Sequence, residues 1–127
     1  MKYLLDTCTL LWFFKGLDEL SENARDIIEN DKIRKYVSAA SLWEFAISCS
    51  LGRFQVSIGF AKFRANIESN GFDILPISVP YLEQLIPLPF HHRDPFDRLL
   101  VATAQTEDMT IVTCDENIRK YDVRVVW

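Results

Sequence analysis

The sequence predicts a single α/β domain with a mainly parallel sheet and helices on both faces. Short apolar runs of strand type alternate with amphipathic stretches of helical period along the whole chain. Acidic residues recur where those strands end, and a parallel sheet binds its ligands outside the carboxyl ends of its strands. A length of 127 residues gives one real core and is too short for two ordinary ones.

Tyr3-Leu4-Leu5 is a short apolar run of buried-strand type. Thr9 to Lys15 reads as a short helix that Gly16 ends. Ser21 is the N-cap expected for a helix through about Asn30, with Ala24, Ile27 and Ile28 on one face. Tyr36 to Ala39 forms a second strand, and Ser41 opens a helix to about Leu51, stopped by Gly52. Ile58 to Asn70 is the next amphipathic helix, closed by Asn70-Gly71. Ile74 to Ile77 is a third strand, expected at a sheet edge because Pro76 cannot donate a ladder hydrogen bond. A short helix from Val79 to Ile86 is broken by Pro87 and Pro89. Asp94 caps the longest helix, with Pro95 at its favoured first position and an end near Glu107. Thr110 to Thr113, Glu116 to Tyr121 and Arg124 to Trp127 complete the pattern as strand, helix and strand.

Apolar residues make up 49 % and charged residues 25 %, the balance of a soluble globular protein. The net charge of −4 excludes recognition of nucleic acid through bulk positive charge. Three cysteines without a C-x-x-C spacing point away from a disulfide framework or zinc knuckle and toward a reducing cytoplasm. No stretch is long enough to span a membrane, and Asp6 interrupts the N-terminal apolar segment too early for a signal peptide.

Asp6 closes the first strand and Asp115 follows the fourth, while Glu44 and Asp97 lie in helices. Each has a bland reading. Asp6 and Asp115 suit helix caps. Ser41-Leu42-Trp43-Glu44 is a capping box, in which Glu44 reaches back to the N-cap amide. Asp94 is most simply an N-cap, and Asp97, one turn later, also suits the positive helix end. Converging carboxylates, by contrast, need a cation. Mg²⁺ or Mn²⁺ takes such oxygen ligands and stabilises the charge that builds on a phosphate ester during hydrolysis. Thr7, Ser41 and Thr113 stand close enough in sequence to orient the acids through their hydroxyls. Arg53, Arg93 and Arg98 are the local positive charges from which a substrate contact is expected. His91 and His92, being adjacent, read as loop residues or substrate contacts. The consecutive Trp12, Phe13 and Phe14 cannot all face one core, so part of this cluster is expected to meet a partner.

Leu4-Leu5-Asp6-Thr7, Ser41-Leu42-Trp43-Glu44, the block from His92 to Leu100 containing Asp-Pro-Phe-Asp-Arg, and Thr113-Cys114-Asp115 together resemble the PIN-domain family. They are most similar to the VapC-like toxins of type II toxin–antitoxin pairs. The resemblance implies a three-layer α/β/α sandwich with a five-stranded sheet in the order 3-2-1-4-5. It also implies metal-dependent endoribonuclease activity and a cognate antitoxin that blocks the site. Asp6, Glu44 and Asp97 match the family's core acids, Asp115 the fourth and more variable one, and Asp94 belongs to the subgroup motif. Cys8 stands where related toxins often have His, and Ser48 where many have Lys. A homodimer is expected from the aromatic cluster together with this resemblance. The competing class is a degenerate PIN-like module that binds RNA or protein without cutting. Haloacid-dehalogenase-like phosphatases are disfavoured because Cys8 occupies the place of their second Asp. Receiver domains are disfavoured because Ser78-Val79-Pro80 follows the third strand.

Overall fold

The computed structural model describes residues 1–52 and 59–127. Its sheet has five parallel strands in the order β3-β2-β1-β4-β5. They are β1 (Lys2–Leu5), β2 (Arg34–Ser38), β3 (Asp73–Leu75), β4 (Thr110–Val112) and β5 (Val125–Val126). This is the order that the family resemblance implied.

The three layers follow from the two-residue period of the strands. Leu5, Val37 and Val112 are in register across three strands and face one core with Leu10, Phe45, Phe63 and Ile67. Their neighbours Leu4, Tyr36 and Ile111 point the other way, into a second core with Leu100, Val101 and Ile118. The first core is covered by α1 (Thr7–Lys15), α2 (Glu22–Glu29), α3 (Ala39–Ser50) and α4 (Phe60–Ser69). On the second side lie α5 (Val79–Leu85), α6 (Pro95–Glu107) and α7 (Glu116–Arg119).

Local chemistry sets most of the element ends. Gly16 ends α1 with a left-handed backbone (φ 65°), a conformation that glycine adopts without a Cβ clash. The Ser21 hydroxyl accepts from Ala24 N, as a helix cap should. Lys35 is buried and its ammonium donates to Ile28 O (2.6 Å) and Asn30 O (3.0 Å), which satisfies orphan carbonyls at the end of α2.

Several boundaries differ from the sequence expectation by a residue or more, and three of them change a reading made above. First, α1 begins at Thr7, so Asp6 itself is the N-cap. Second, α3 begins at Ala39 and its cap is Ser38, whose hydroxyl accepts from Ala40 N (3.1 Å). Ser38 is the last residue of β2 paired to β3, and the chain turns there. Ser41 therefore lies inside the helix, and the Ser41–Glu44 capping box does not form. Third, β3 is an edge strand as expected, but it ends at Leu75, so Pro76 falls just beyond the ladder. The start of the helix expected from Ile58 lies outside the described residues.

Phe63 is fully buried, with its ring 4.2 Å from that of Phe45 and 5.8 Å from that of Phe14. Phe63→Ala should cost about 3–5 kcal/mol, read as a drop in the midpoint of urea unfolding at unchanged slope.

Candidate active site

Strand order brings the acids together. Asp6 follows the central strand β1, and Thr113 and Asp115 follow its neighbour β4. Asp6 is buried and both of its oxygens are engaged. Oδ1 accepts from Thr9 N (2.8 Å), and Oδ2 accepts from the Thr113 hydroxyl. Thr113 Oγ1 in turn accepts from Asp115 N (3.0 Å). Thr9 Oγ1 donates to Val112 O (3.1 Å), so a second hydroxyl ties the start of α1 to the end of β4. Nothing in the sequence marks Thr9, because this bond spans the sheet.

Glu44 lies well inside α3 and points to the start of α1, where Thr7 Oγ1 donates to its Oε1 (2.6 Å). Asp94 caps α6, accepting from Phe96 N (2.9 Å) and Asp97 N (3.1 Å). Asp115 likewise caps α7 through Asn117 N (2.7 Å). Asp97, in the first turn of α6, meets His92 Nε2 at 3.1 Å through its Oδ2. Glu44 Oε2, Asp97 Oδ1 and Asp115 Oδ2 have no hydrogen-bond partner among the described residues.

Electrostatics confirm that these groups sense one another. Burial pushes the Asp6 carboxyl above its ordinary range, and the charge of Asp115 adds to the effect. Burial also raises Glu44, with Asp94 and Asp6 contributing. Asp97 is pushed up to about 7 by desolvation, then by Asp94, Asp115 and Asp6. Cys8 is an exposed residue, yet its thiol is pushed up to about 12 by local desolvation and by Asp6, Glu44 and Asp97. Such a thiol is no nucleophile near neutral pH, and the Cys114 thiol is also raised.

The donor set suits a hard cation: carboxylate oxygens, mutual repulsion, and one unengaged oxygen on each of three acids. Among the described residues, no three acidic, His or Cys side chains already close around a single point. One oxygen of each of Glu44, Asp97 and Asp115, and both of Asp6, are engaged by the caps, hydroxyls and ring named above. Mg²⁺ keeps several waters and needs only a few carboxylates, so the fit lies in the chemistry of the donors and not in a preformed cage.

Two expectations need correction. The Ser41 hydroxyl is buried without a hydrogen-bond partner among the described residues and orients none of the acids. Arg98 is not at a substrate-facing rim. It is buried, donates to Pro89 O (2.8 Å), Leu88 O (3.2 Å) and Tyr121 Oη (3.1 Å), and lies 3.9 Å from the centre of the Phe90 ring. It lies in the buried stretch of α6 that follows Asp97, where two carbonyls and the Tyr121 hydroxyl receive its donors. Arg93 is exposed, and Arg53 lies outside the described residues. Arg119, at the end of α7, is a cation that the sequence did not single out, and its charge acts on the Cys114 thiol. The Trp12, Phe13 and Phe14 side chains are all partly exposed, with Trp12 edge-on to Trp127 at 5.7 Å. A groove of about 450 Å³ between Gln84, Asp108 and Arg124 lies at the opposite, amino end of the sheet.

A family model described as PIN domain matches residues 3–124. The chain belongs to the PIN domain family. The fold is also that of solved VapC structures. VapBC2 of Rickettsia felis, solved on a DNA fragment from its promoter, superposes with a TM-score of 0.73 at 18 % identity, covering 100 % of this chain and 99 % of that one. DNA-bound VapBC of Salmonella typhimurium gives 0.71 at 16 % identity, covering 99 % and 97 %. VapC20 of Mycobacterium tuberculosis, a sarcin-ricin loop cleaving toxin, gives 0.66 at 12 % identity, covering 93 % of each chain. Among curated protein sequences, none matches. No helix of this PIN domain, among the described residues, is long and apolar enough to cross a membrane.

The raised Asp97 group has a consequence for stability. Between its ordinary 3.8 and about 7, the folded chain holds a proton that the unfolded chain releases. Stability of the cation-free protein should therefore be highest at the acid end of that window, fall as pH rises through it, and level off above about 7. Asp97→Asn should flatten the slope and raise the melting temperature at pH 8 by a few degrees, a gain of about 1 kcal/mol. Calorimetric melting curves of both proteins from pH 5 to 8 check this.

Proposed function

We propose that this PIN domain is a metal-dependent endoribonuclease and the toxin of a toxin–antitoxin pair. The observation that carries the reading is the mutually repelling cluster of Asp6, Glu44, Asp97 and Asp115 at the carboxyl end of the sheet. Asp6, Glu44, Asp97 and Asp115 are the residues that would hold Mg²⁺ or Mn²⁺, which when bound would supply the charge neutralisation that a phosphodiester needs to react. Thr7 and Thr113 keep Glu44 and Asp6 in orientation through their hydroxyls. Asp94 supports the site as the cap that fixes the first turn of α6. Arg93, Arg53 and Arg119 are proposed as contacts to the RNA backbone, since a chain of net charge −4 needs local cations for that purpose.

The antitoxin proposal draws on several of the similar solved structures, among them a toxin–antitoxin complex from Klebsiella pneumoniae and the VapBC structures above. A basic side chain of such a partner, placed among the carboxylates, would displace both the cation and the substrate. Self-association is proposed through apolar surface. Val79, Leu82 and Ile86 form an exposed stripe on α5, opposite the Tyr81 and Leu85 side that packs on the body of the domain. The aromatic cluster of α1 offers further apolar surface. The cytoplasm is the proposed place of action.

Purified protein should cleave RNA with Mg²⁺ or Mn²⁺ and not with EDTA. Asp97→Asn should lower the rate by about 100-fold or more, the scale of losing a charge-stabilising group, while remaining folded. Cation-independent RNA binding without cleavage would instead favour the non-cutting module. Charge-removing changes at Arg93 and Arg119 should weaken RNA binding and reduce its salt slope by about one for each phosphate no longer neutralised. Light scattering should give a dimer that Ile86→Asp converts to monomer.

A further inference from the structure

His92 and Tyr121 have no part in the carboxylate chemistry above, yet they connect to it through a chain of short contacts. Arg98 NH1 lies 3.1 Å from Tyr121 Oη, His92 Nδ1 lies 2.9 Å from the same oxygen, and His92 Nε2 lies 3.1 Å from Asp97 Oδ2. His92 and Asp97 are both largely buried here, with side-chain exposures of 13 % and 20 %.

The direction of the chain follows from its first member. A guanidinium can only donate, so Tyr121 Oη accepts from Arg98 and has its own proton to give. Two acceptors stand near it, His92 Nδ1 at 2.9 Å and His92 O at 3.4 Å. The nearer receives the proton. Nδ1 is then an acceptor, which puts the imidazole hydrogen on Nε2, where it points at Asp97. We propose that Arg98, Tyr121 and His92 form a one-way hydrogen-bond relay, with His92 as the positioning residue that fixes the Asp97 carboxylate for the cation. The proposal rests on the nuclease reading for the identity of the cation.

The relay accounts for the burial of Arg98. Its other donors hold Leu88 O and Pro89 O, so the same guanidinium fixes the loop leading to His92 and sets the direction of the relay. It also assigns the two Asp97 oxygens. Oδ2 receives Nε2–H, and Oδ1, which has no partner among the described residues, is presented to the site. A carboxylate held on one oxygen loses its rotational freedom before the ion arrives, and removing such an outer partner typically lowers metal affinity about 10–100-fold.

The test uses Mn²⁺ alone and two readouts. Long-range ¹H–¹⁵N correlation at pH 8 reports the tautomer of each ring, and the chain has only two histidines. Wild type should show His92 protonated at Nε2, and Tyr121→Phe should mix its tautomers. By calorimetry, His92→Ala should bind Mn²⁺ about 10–100-fold more weakly, and His92→Gln, which keeps a donor near the Nε2 position, should largely restore binding. An Nδ1–H tautomer in wild type overturns the relay. So does unchanged Mn²⁺ affinity in His92→Ala. If wild type itself takes up no Mn²⁺, the nuclease reading fails, and the tautomer measurement still decides the relay.

Discussion

The hydrogen bond from Thr113 to Asp6 joins the ends of two neighbouring strands, and the candidate site is organised around it. Asp6 is buried at the head of α1, where desolvation opposes its charge. The Thr9 amide and the Thr113 hydroxyl offset that opposition, one for each oxygen. The same hydroxyl receives the Asp115 amide and thereby fixes the turn that carries the fourth acid. Together with the Thr9–Val112 bond, this joint holds the carboxyl end of β4 beside the Asp6 carboxylate.

Among the described residues, Glu44, Asp97 and Asp115 each have one oxygen tied and another without a partner, and in each case the tie serves the fold. Glu44 links α3 to α1 through Thr7, and Asp115 caps α7. Asp97 links α6 to the loop containing His92. Function and stability are opposed here in a definable way. The caps and hydroxyls hold the acids in partly dry surroundings near one another, and burial first, with neighbouring charge second, raises the carboxyl groups of Asp6, Glu44 and Asp97. A cation held there, as proposed, would offset the same charge that a proton neutralises at lower pH.

The basic residues divide by burial rather than by position in the motif. Arg93 and Arg98 flank the same helical turn, but one is exposed and the other is enclosed by carbonyls, a phenol and an aromatic face. A buried guanidinium that uses several of its donors on backbone carbonyls has little left for a phosphate. It serves instead as a fixed donor from which the orientation of Tyr121 and His92 follows.

Strand and helix alternation, the helix caps at Ser21 and Asp94, and the stop at Gly16 were legible in the sequence, because each depends on residues within a turn or two of chain. The four acids were legible as types at strand ends and first turns. Family resemblance supplied the strand order, which local pattern does not contain. Tertiary structure alone ruled out the capping-box reading of Glu44. Ser38 and Ser41 are separated only by two alanines and both have cap chemistry, and the point where β2 leaves the ladder selects Ser38. It also decided that Thr9 and Thr113, and not Ser41, tie the site together, and that Arg98 turns inward. The bonds that settle these matters join residues 37, 103 and 107 positions apart. Periodicity and capping rules act over three or four residues, so partners brought together by sheet order lie beyond their reach.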